Sequence, residues 1–234
     1  MAYSRSASVY DALYSFKDYA GEAALLERIV RARNGEARTL LDVACGTGKH
    51  LAELRRHFQV EGLDLEPGLV EIARTRLPGI PVHHADMVSF ALERRFDVVT
   101  CLFSSIGYVR TPARLRRTIA TLARHLERRG VLVLEPWIRP DQWELGGPYS
   151  LFVDEPELKV ARVNLSPPAG KTVVLEMHHV VGRPDGVESF VERHELGMFT
   201  HEEYVGALAA AGLDLEHDPD GLSGRGLYVA TRGA

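Results

Sequence analysis

Between Leu40 and Leu51 the chain reads LLDVACGTGKHL, an apolar run that ends in an aspartate and then places Gly46 and Gly48 one residue apart. Glycines at the mouth of a buried strand let main chain approach a ligand with no Cβ in the way. Two phosphate-binding patterns can be tested against this loop. A P-loop closes on Gly-Lys-Ser/Thr, but Gly48-Lys49 is followed by His50. A dinucleotide fingerprint needs a glycine three residues after Gly48, and that position is Leu51. Both patterns are therefore incomplete.

Two carboxylates follow at the ends of the next apolar runs. Asp64 closes EGLD, sixteen residues beyond Gly48, where a carboxylate can accept both hydroxyls of a ribose. Asp86 lies in HHADM, where its carboxylate or the neighbouring backbone can meet an adenine amino group. The glycine loop alone could be no more than a tight strand-to-helix turn. With the two acids it describes a pocket for an adenosine that carries no phosphate, and S-adenosylmethionine is the abundant ligand of that kind. Methyl transfer from a sulfonium is an in-line displacement, so the protein must chiefly align a neutral amine with the methyl carbon. A histidine, tyrosine or carboxylate near that amine would help to remove its proton.

Several residues could supply that help. His178 and His179 are neighbours on one predicted strand, so at most one faces a pocket. His194 is a third candidate; each of the three could equally be structural. His125, late in a helix, is expected to serve the negative helix end. Trp137 follows Glu135-Pro136 and offers either an aromatic wall or packing beneath later strands. In GLSGRGL (221–227) three glycines expose backbone N–H groups, and the Arg225 fork suits a pair of phosphate oxygens. A tight turn with a solvated arginine is the competing view. Cys45 and Cys101 read as small core residues, and no metal site is expected.

The elements that must position these groups alternate. A helix is predicted over 10–33, then strand and helix in turn through QVEGLDLE, PGLVEIARTRL, IPVHHADM, FDVVTCLFS, TPARLRRTIATLARHLE and GVLVLEPW. This is an α/β pattern with a parallel sheet covered by helices. Residues 137–198 change character and alternate in strand fashion, with RPDG (183–186) as a turn, which predicts an antiparallel insertion. THEEYVGALAAAG is a helix opened by a Thr200–Glu203 capping box, and LDLEHD and GLYVAT are final strands. Residues 1–136 and 199–234 thus form a core, and 137–198 an insertion that helps build a substrate site. The 234 residues are 45% apolar with a net charge of −4, which argues against a nucleic acid held by phosphate neutralisation. No apolar run approaches membrane-spanning length, and the first residues lack a signal-peptide layout, so a cytoplasmic location is expected.

Over residues 38–136 the chain resembles the class I S-adenosylmethionine-dependent methyltransferases, with a Rossmann-like core; Ala44 replaces the first glycine of their first motif. The resemblance implies that Ala44, Cys45 and Gly46 pack beside the methionine part. It places the ribose on Asp64 with Leu65 adjacent, the adenine beside Asp86 and Met87, and the methyl-donor site along Leu102 and Phe103 of LFSSIGY. A closer resemblance runs over nearly the whole chain: VYDALY, KDYAGEA, FSSIGY, HLERRGVLVLEPW, MFTHEEY and LSGRGLYV look like the nucleotide-linked amino-sugar N-methyltransferases. That family implies Tyr14 over the active site, Tyr19 near the cofactor's carboxylate, and His178 and His194 as favoured bases. Ser104, Trp137 and Arg225 are then substrate contacts. The implied reaction adds one and then a second methyl to the amine of a TDP-linked 3-amino-deoxy sugar. Another small amine, a peptide N-terminus, or binding without catalysis are the alternatives. Neither nucleic acid nor membrane is expected as a partner, and a homodimer is left open.

Overall fold

A computed structural model describes residues 3, 5–143 and 148–233. Five strands, β1 (Thr39–Val43), β2 (Gln59–Asp64), β3 (Val82–His84), β4 (Phe96–Cys101) and β5 (Leu126–Leu134), run parallel in the order 3-2-1-4-5. Leu40 to Val43 and Val98 to Cys101 are buried, as central parallel strands covered on both faces require. The sheet is completed at one edge by two late antiparallel strands, β11 (Leu213–Asp218) and β12 (Leu227–Arg232), with β12 paired to β5. Strand order reverses between β1 and β4, so a crevice opens beyond their carboxyl ends.

The flanking helices follow from local signals. Helix α4 (Pro67–Arg76) starts with proline in its first turn. In α5 (Pro112–Arg124) the Thr111 side chain accepts the Arg114 N–H at 3.3 Å, and Leu115, Ile119 and Leu122 face the sheet. Helix α6 (His201–Ala210) has the expected box, with Thr200 and Glu203 bonded reciprocally. Helix α3 (Lys49–Leu54) springs from Gly48 at φ +78°. A Cβ there would lie 3.0 Å from Leu77 and 3.3 Å from the Ala73 Cβ, so packing as well as backbone requires glycine.

The single helix predicted over 10–33 is two helices, α1 (Tyr10–Leu13) and α2 (Tyr19–Arg31). Asp18 explains the restart, because its carboxylate accepts the Gly21 N–H at 2.9 Å as an N-cap. The break at 14–18 turns Tyr14 and Lys17 toward the crevice. Helix α5 also ends three residues early, and Leu126 already begins β5.

After β5 comes a separate antiparallel sheet in the order 10-9-7-6. Its strands are β6 (Tyr149–Glu155), β7 (Leu158–Leu165), β9 (Thr172–Arg183) and β10 (Gly186–Gly197), with the two-residue β8 (Pro168–Ala169) paired to β9. The RPDG turn joins β9 to β10. Strand β6 was not anticipated. Alternation decides its function: Val160, Arg162 and Asn164 on β7, Met177, His179 and Val181 on β9, and Phe190, Glu192 and His194 on β10 are all buried. Val9 and Leu13 pack on this inner face against Val160, Val181 and Phe190, which fastens the N-terminal segment across the mouth of the crevice. Among the described residues no helix is long and apolar enough to cross a membrane.

Candidate active site

Three cavities meet at one side chain, Phe103. A basin of about 770 Å³ reaches from Ala44 and Gly46 past Asp64 and Leu65 to Asp86 and Met87. A second, of about 940 Å³, lies on the other side of Phe103 between Tyr14, Trp137, Arg225 and the inserted sheet. A small niche of about 30 Å³ is bordered by Tyr19, Cys45, Gly46 and Leu102. Phe103, Tyr3 and Tyr108 border both large basins.

The first basin has the features of a nucleoside pocket. Asp64 accepts the Gly46 N–H at 2.8 Å on one oxygen and the Glu66 N–H at 2.9 Å on the other. Burial nonetheless raises its pKa above the ordinary carboxylate range despite those donors. Glu66, two residues on, is also buried, and its Oε2 has no partner. An unpaired buried acceptor beside Asp64 is a place for a ligand hydroxyl. Leu65 is 53% exposed into the same basin and, with Met87, offers apolar faces to a flat ring. Asp86 is tied to the Val88 N–H at 2.9 Å and to Arg114 at 3.4 Å. At the glycine loop Ala44 holds φ +60°, a left-handed conformation costly for a residue with a Cβ, and Gly46 holds +58°.

The niche carries charge. Asp42 is fully enclosed, and burial raises its carboxyl pKa to about 6 even though the Thr100 hydroxyl donates to it at 2.7 Å. His50 pairs with Glu22 at 2.8 Å, and Glu22 also holds Lys17. Lys17 and Lys49 lie 5.6 and 5.5 Å from the Tyr19 ring centre.

Phe103 and the adjacent Ser104 both have positive φ, +50° and +61°. Such strain persists only where neighbours hold it. Glu135, wholly buried, does so: one oxygen accepts the Phe103 N–H at 2.6 Å and the other the Ser223 hydroxyl at 2.5 Å. One carboxylate thus joins the loop after β4 to the loop that bears Arg225. Arg225 in turn donates to Ser104 Oγ at 2.8 Å and lies 5.5 Å from the Trp137 ring centre. The Ser104 hydroxyl is itself buried and donates to the Pro136 carbonyl at 2.8 Å. It therefore supports Arg225, and Ser104 lines the second basin, where it was expected.

Tyr14 lies edge-on to Phe103 at 5.1 Å and accepts a hydrogen bond of 2.9 Å from Arg162. Arg162 is 5% exposed, its Nε has no partner, and the Trp137 indole N–H is likewise buried and unpaired. His194 is enclosed at the first basin, with Tyr108 Oη 2.7 Å from its Nδ1. His178 is not in the crevice. It sits exposed on the outer face of β9, paired with Glu176 at 3.0 Å, which corrects the expectation that it acts as a base. Its neighbour His179 takes the inner face but stacks on Phe190 at 4.7 Å. His125 serves the helix end as expected, by a hydrogen bond instead of a charge: its Nδ1 pairs with the Thr121 carbonyl in the last turn, Nε2 accepts the Leu92 N–H, and burial lowers its pKa. Cys45 and Cys101 are free and buried.

Sequence reasoning missed Glu66, Arg162, Tyr108 and Glu192. Glu66 carries a readable signal, a second acid just beyond Asp64 at a strand end. Arg162 and Glu192 carry none, since only sheet register reveals that these charged residues point inward.

A family model described as a methyltransferase domain matches residues 40–130. The chain is 42% identical to the dTDP-3-amino-3,6-dideoxy-alpha-D-glucopyranose N,N-dimethyltransferase of Streptomyces fradiae, over 97% of this chain and 91% of the relative. It is 40% identical to the dTDP-4-amino-2,3,4,6-tetradeoxy-D-glucose N,N-dimethyltransferase of Saccharopolyspora spinosa, over 97% and 92%. The S-adenosylmethionine-bound structure of CalS10, an amino pentose methyltransferase from Micromonospora echinaspora, superposes with a TM-score of 0.87 at 42% identity, covering 96% of each chain. A nucleoside basin, a second basin across Phe103 and these full-length likenesses agree, and the chain belongs to the S-adenosylmethionine-dependent amino-sugar N-methyltransferases.

Proposed function

We propose that this enzyme methylates the amine of a TDP-linked 3-amino-deoxy sugar, once and then a second time. The observation that carries the reading is the second basin, where the guanidinium groups of Arg162 and Arg225 and the unpaired buried indole N–H groups of Trp137 and Trp143 surround a space that Phe103 divides from the nucleoside basin. Such walls suit an oxygen-rich, anionic acceptor. S-Adenosylmethionine supplies an electrophilic methyl group. On this reading Asp64 and Glu66 hold its ribose, Leu65 and Met87 flank its adenine, and the niche at Tyr19 receives its amino-acid end. The strained loop at Phe103 fixes the line between the basins along which donor and acceptor must meet. Tyr14, anchored by Arg162, presents an oxygen to the acceptor amine, and His194, enclosed behind Tyr108, is where the amine's proton is finally taken up. The inserted strands β6, β7 and β9 contribute the acceptor's walls through Leu151, Arg162, Asn164 and Met177. The relatives act by name on 3-amino and 4-amino hexoses and on an amino pentose, so a panel of TDP-linked 3-amino and 4-amino sugars is the direct test.

Arg225→Ala is expected to raise KM for the TDP-sugar by one to two powers of ten, roughly the 1.5–3 kcal/mol of a charge-assisted hydrogen bond. The Kd for S-adenosylhomocysteine should stay unchanged. An unaltered KM would remove the phosphate assignment. Glu66→Ala should weaken S-adenosylhomocysteine binding on the order of tenfold and lower the Tm of the free protein less than Asp64→Ala, because Oε2 has no protein partner and the carboxylate meets a single backbone N–H, that of Gly68. Asp64→Ala should weaken binding and lower the Tm further, since two backbone N–H groups lose their acceptor. Calorimetric titration and thermal melts of the pair separate these outcomes.

A further inference from the structure

We propose that Tyr108, His194 and Glu192 form a relay that carries the proton away from the acceptor amine, and that the relay is complete only when the N-terminal segment is seated. It rests on the amine-methylation reading above. Tyr108 borders both basins, and the relay requires its oxygen to meet the amine between them. That oxygen lies 2.7 Å from His194 Nδ1 and 3.1 Å from the Tyr3 hydroxyl. His194 and Glu192 are two apart on β10 and share its inner face. His194 Nε2 is buried with no hydrogen-bond partner, and its nearest acid oxygen is Glu192 Oε2 at 3.8 Å.

Glu192 has the unusual surroundings. It accepts the backbone N–H groups of Arg5 at 2.8 Å and Ser6 at 3.2 Å on Oε1, and the Ser6 hydroxyl at 2.5 Å on Oε2. Burial alone would raise its pKa, but His194, the Ser6 hydroxyl and those N–H groups hold the carboxyl down at about 2. It is therefore an anion at neutral pH, placed beside an imidazole. Two residues near position 5 and two near position 193 meet only because the N-terminal segment crosses the crevice.

The chemistry balances without any further reagent. A protonated amine gives its N–H proton to Tyr108 Oη as the phenolic proton passes to His194 Nδ1. The imidazolium that results sits against the Glu192 carboxylate, which stays ionised. Burial pushes the Tyr108 pKa well up, so the phenol passes the proton on and is not itself left ionised. The imidazolium returns its proton to water when solvent refills the emptied basins. A first methylation leaves a secondary ammonium, so the same path is needed again before the second. An orienting acid behind a histidine that faces a hydroxyl is an arrangement with known catalytic logic.

The test uses the full-length protein with a TDP-3-amino sugar and compares wild type with Tyr108→Phe, His194→Gln and Glu192→Gln. Each should lower kcat at least tenfold, with acceptor KM and S-adenosylhomocysteine Kd within threefold of wild type. The solvent deuterium isotope effect on kcat should change in all three. Glu192→Gln keeps acceptors for the N-terminal N–H groups, so its defect would report the charge and not the fold. In the free wild-type protein, ¹⁵N NMR of the histidine rings should show His194 with its proton on Nε2; a proton on Nδ1 would overturn the relay. If wild type turns over the sugar and the variants keep its kcat and isotope effect, the relay alone fails. If wild type turns over no TDP-amino sugar, the parent reading fails and the relay falls with it.

Discussion

Gly221→Ala should cost this enzyme on the order of a hundredfold in kcat/KM for a TDP-amino sugar while leaving S-adenosylhomocysteine affinity within twofold. Gly221 holds φ +58°, and a Cβ built on it would lie 2.5 Å from both the carbonyl carbon and the oxygen of Gly226. Neither atom can swing aside as a side chain would, so the loop must take another path. The left-handed backbone adds about 1–2 kcal/mol of its own. Two contacts go with the loop: Ser223 to Glu135, and Arg225 to Ser104. Losing charge-assisted bonds of roughly 1.5–3 kcal/mol each easily accounts for about 2.7 kcal/mol, a factor of a hundred. The nucleoside basin shares no residue with this loop, so its ligand should not notice. Steady-state kinetics beside a calorimetric titration decide the matter; equal losses in both ligands would mean that the loop supports the whole site.

Asp42→Asn should go the other way in stability. The Asp42 carboxyl titrates near pH 6 in the folded protein, against about 3.9 when unfolded. The folded state therefore binds more protons than the unfolded chain between those values, so this group's contribution to stability rises as pH falls through 6 and is complete near 4. Above pH 6 the charged form is destabilising by about 3 kcal/mol, two pKa units at 1.36 kcal/mol each, and the amide removes that penalty. Denaturant unfolding of the free variant at pH 7.5 should show a gain of up to about 3 kcal/mol that shrinks to nothing by pH 4. The same change should weaken S-adenosylhomocysteine binding, because the niche then lacks an anion for the ligand's ammonium. A gain that does not vary with pH would sink the explanation.

The donor half of the site was legible because each of its parts is local. A glycine loop and acids at successive strand ends stay where the strands put them, and Ala44, Gly46, Asp64, Leu65, Asp86 and Met87 do border one basin. The acceptor half was legible only in part: Tyr14, Ser104, Trp137 and Arg225 border the second basin, but the inward-facing residues of the inserted strands could not be told from their spacing. The pair His178–His179 shows why: neighbouring strand residues face opposite ways, and only the pairing with β7 and β10 determines which is inside. Glu192 meets Ser6 across 186 residues of chain, a contact that no spacing in the sequence announces. The helix drawn over 10–33 failed for a subtler reason. Leu13, Phe16, Ala20 and Ala24 keep helical spacing, yet the Asp18 cap competes successfully for the backbone and leaves Phe16 largely exposed.

The inserted sheet enters the chain between β5 and α6 and adds no strand to the parallel core. On the proposed reading, new sugar preferences can therefore arise by substitution along β6, β7 and β9, with the strands that border the nucleoside basin left untouched. A lineage built this way can diversify its products quickly while its chemistry stands still.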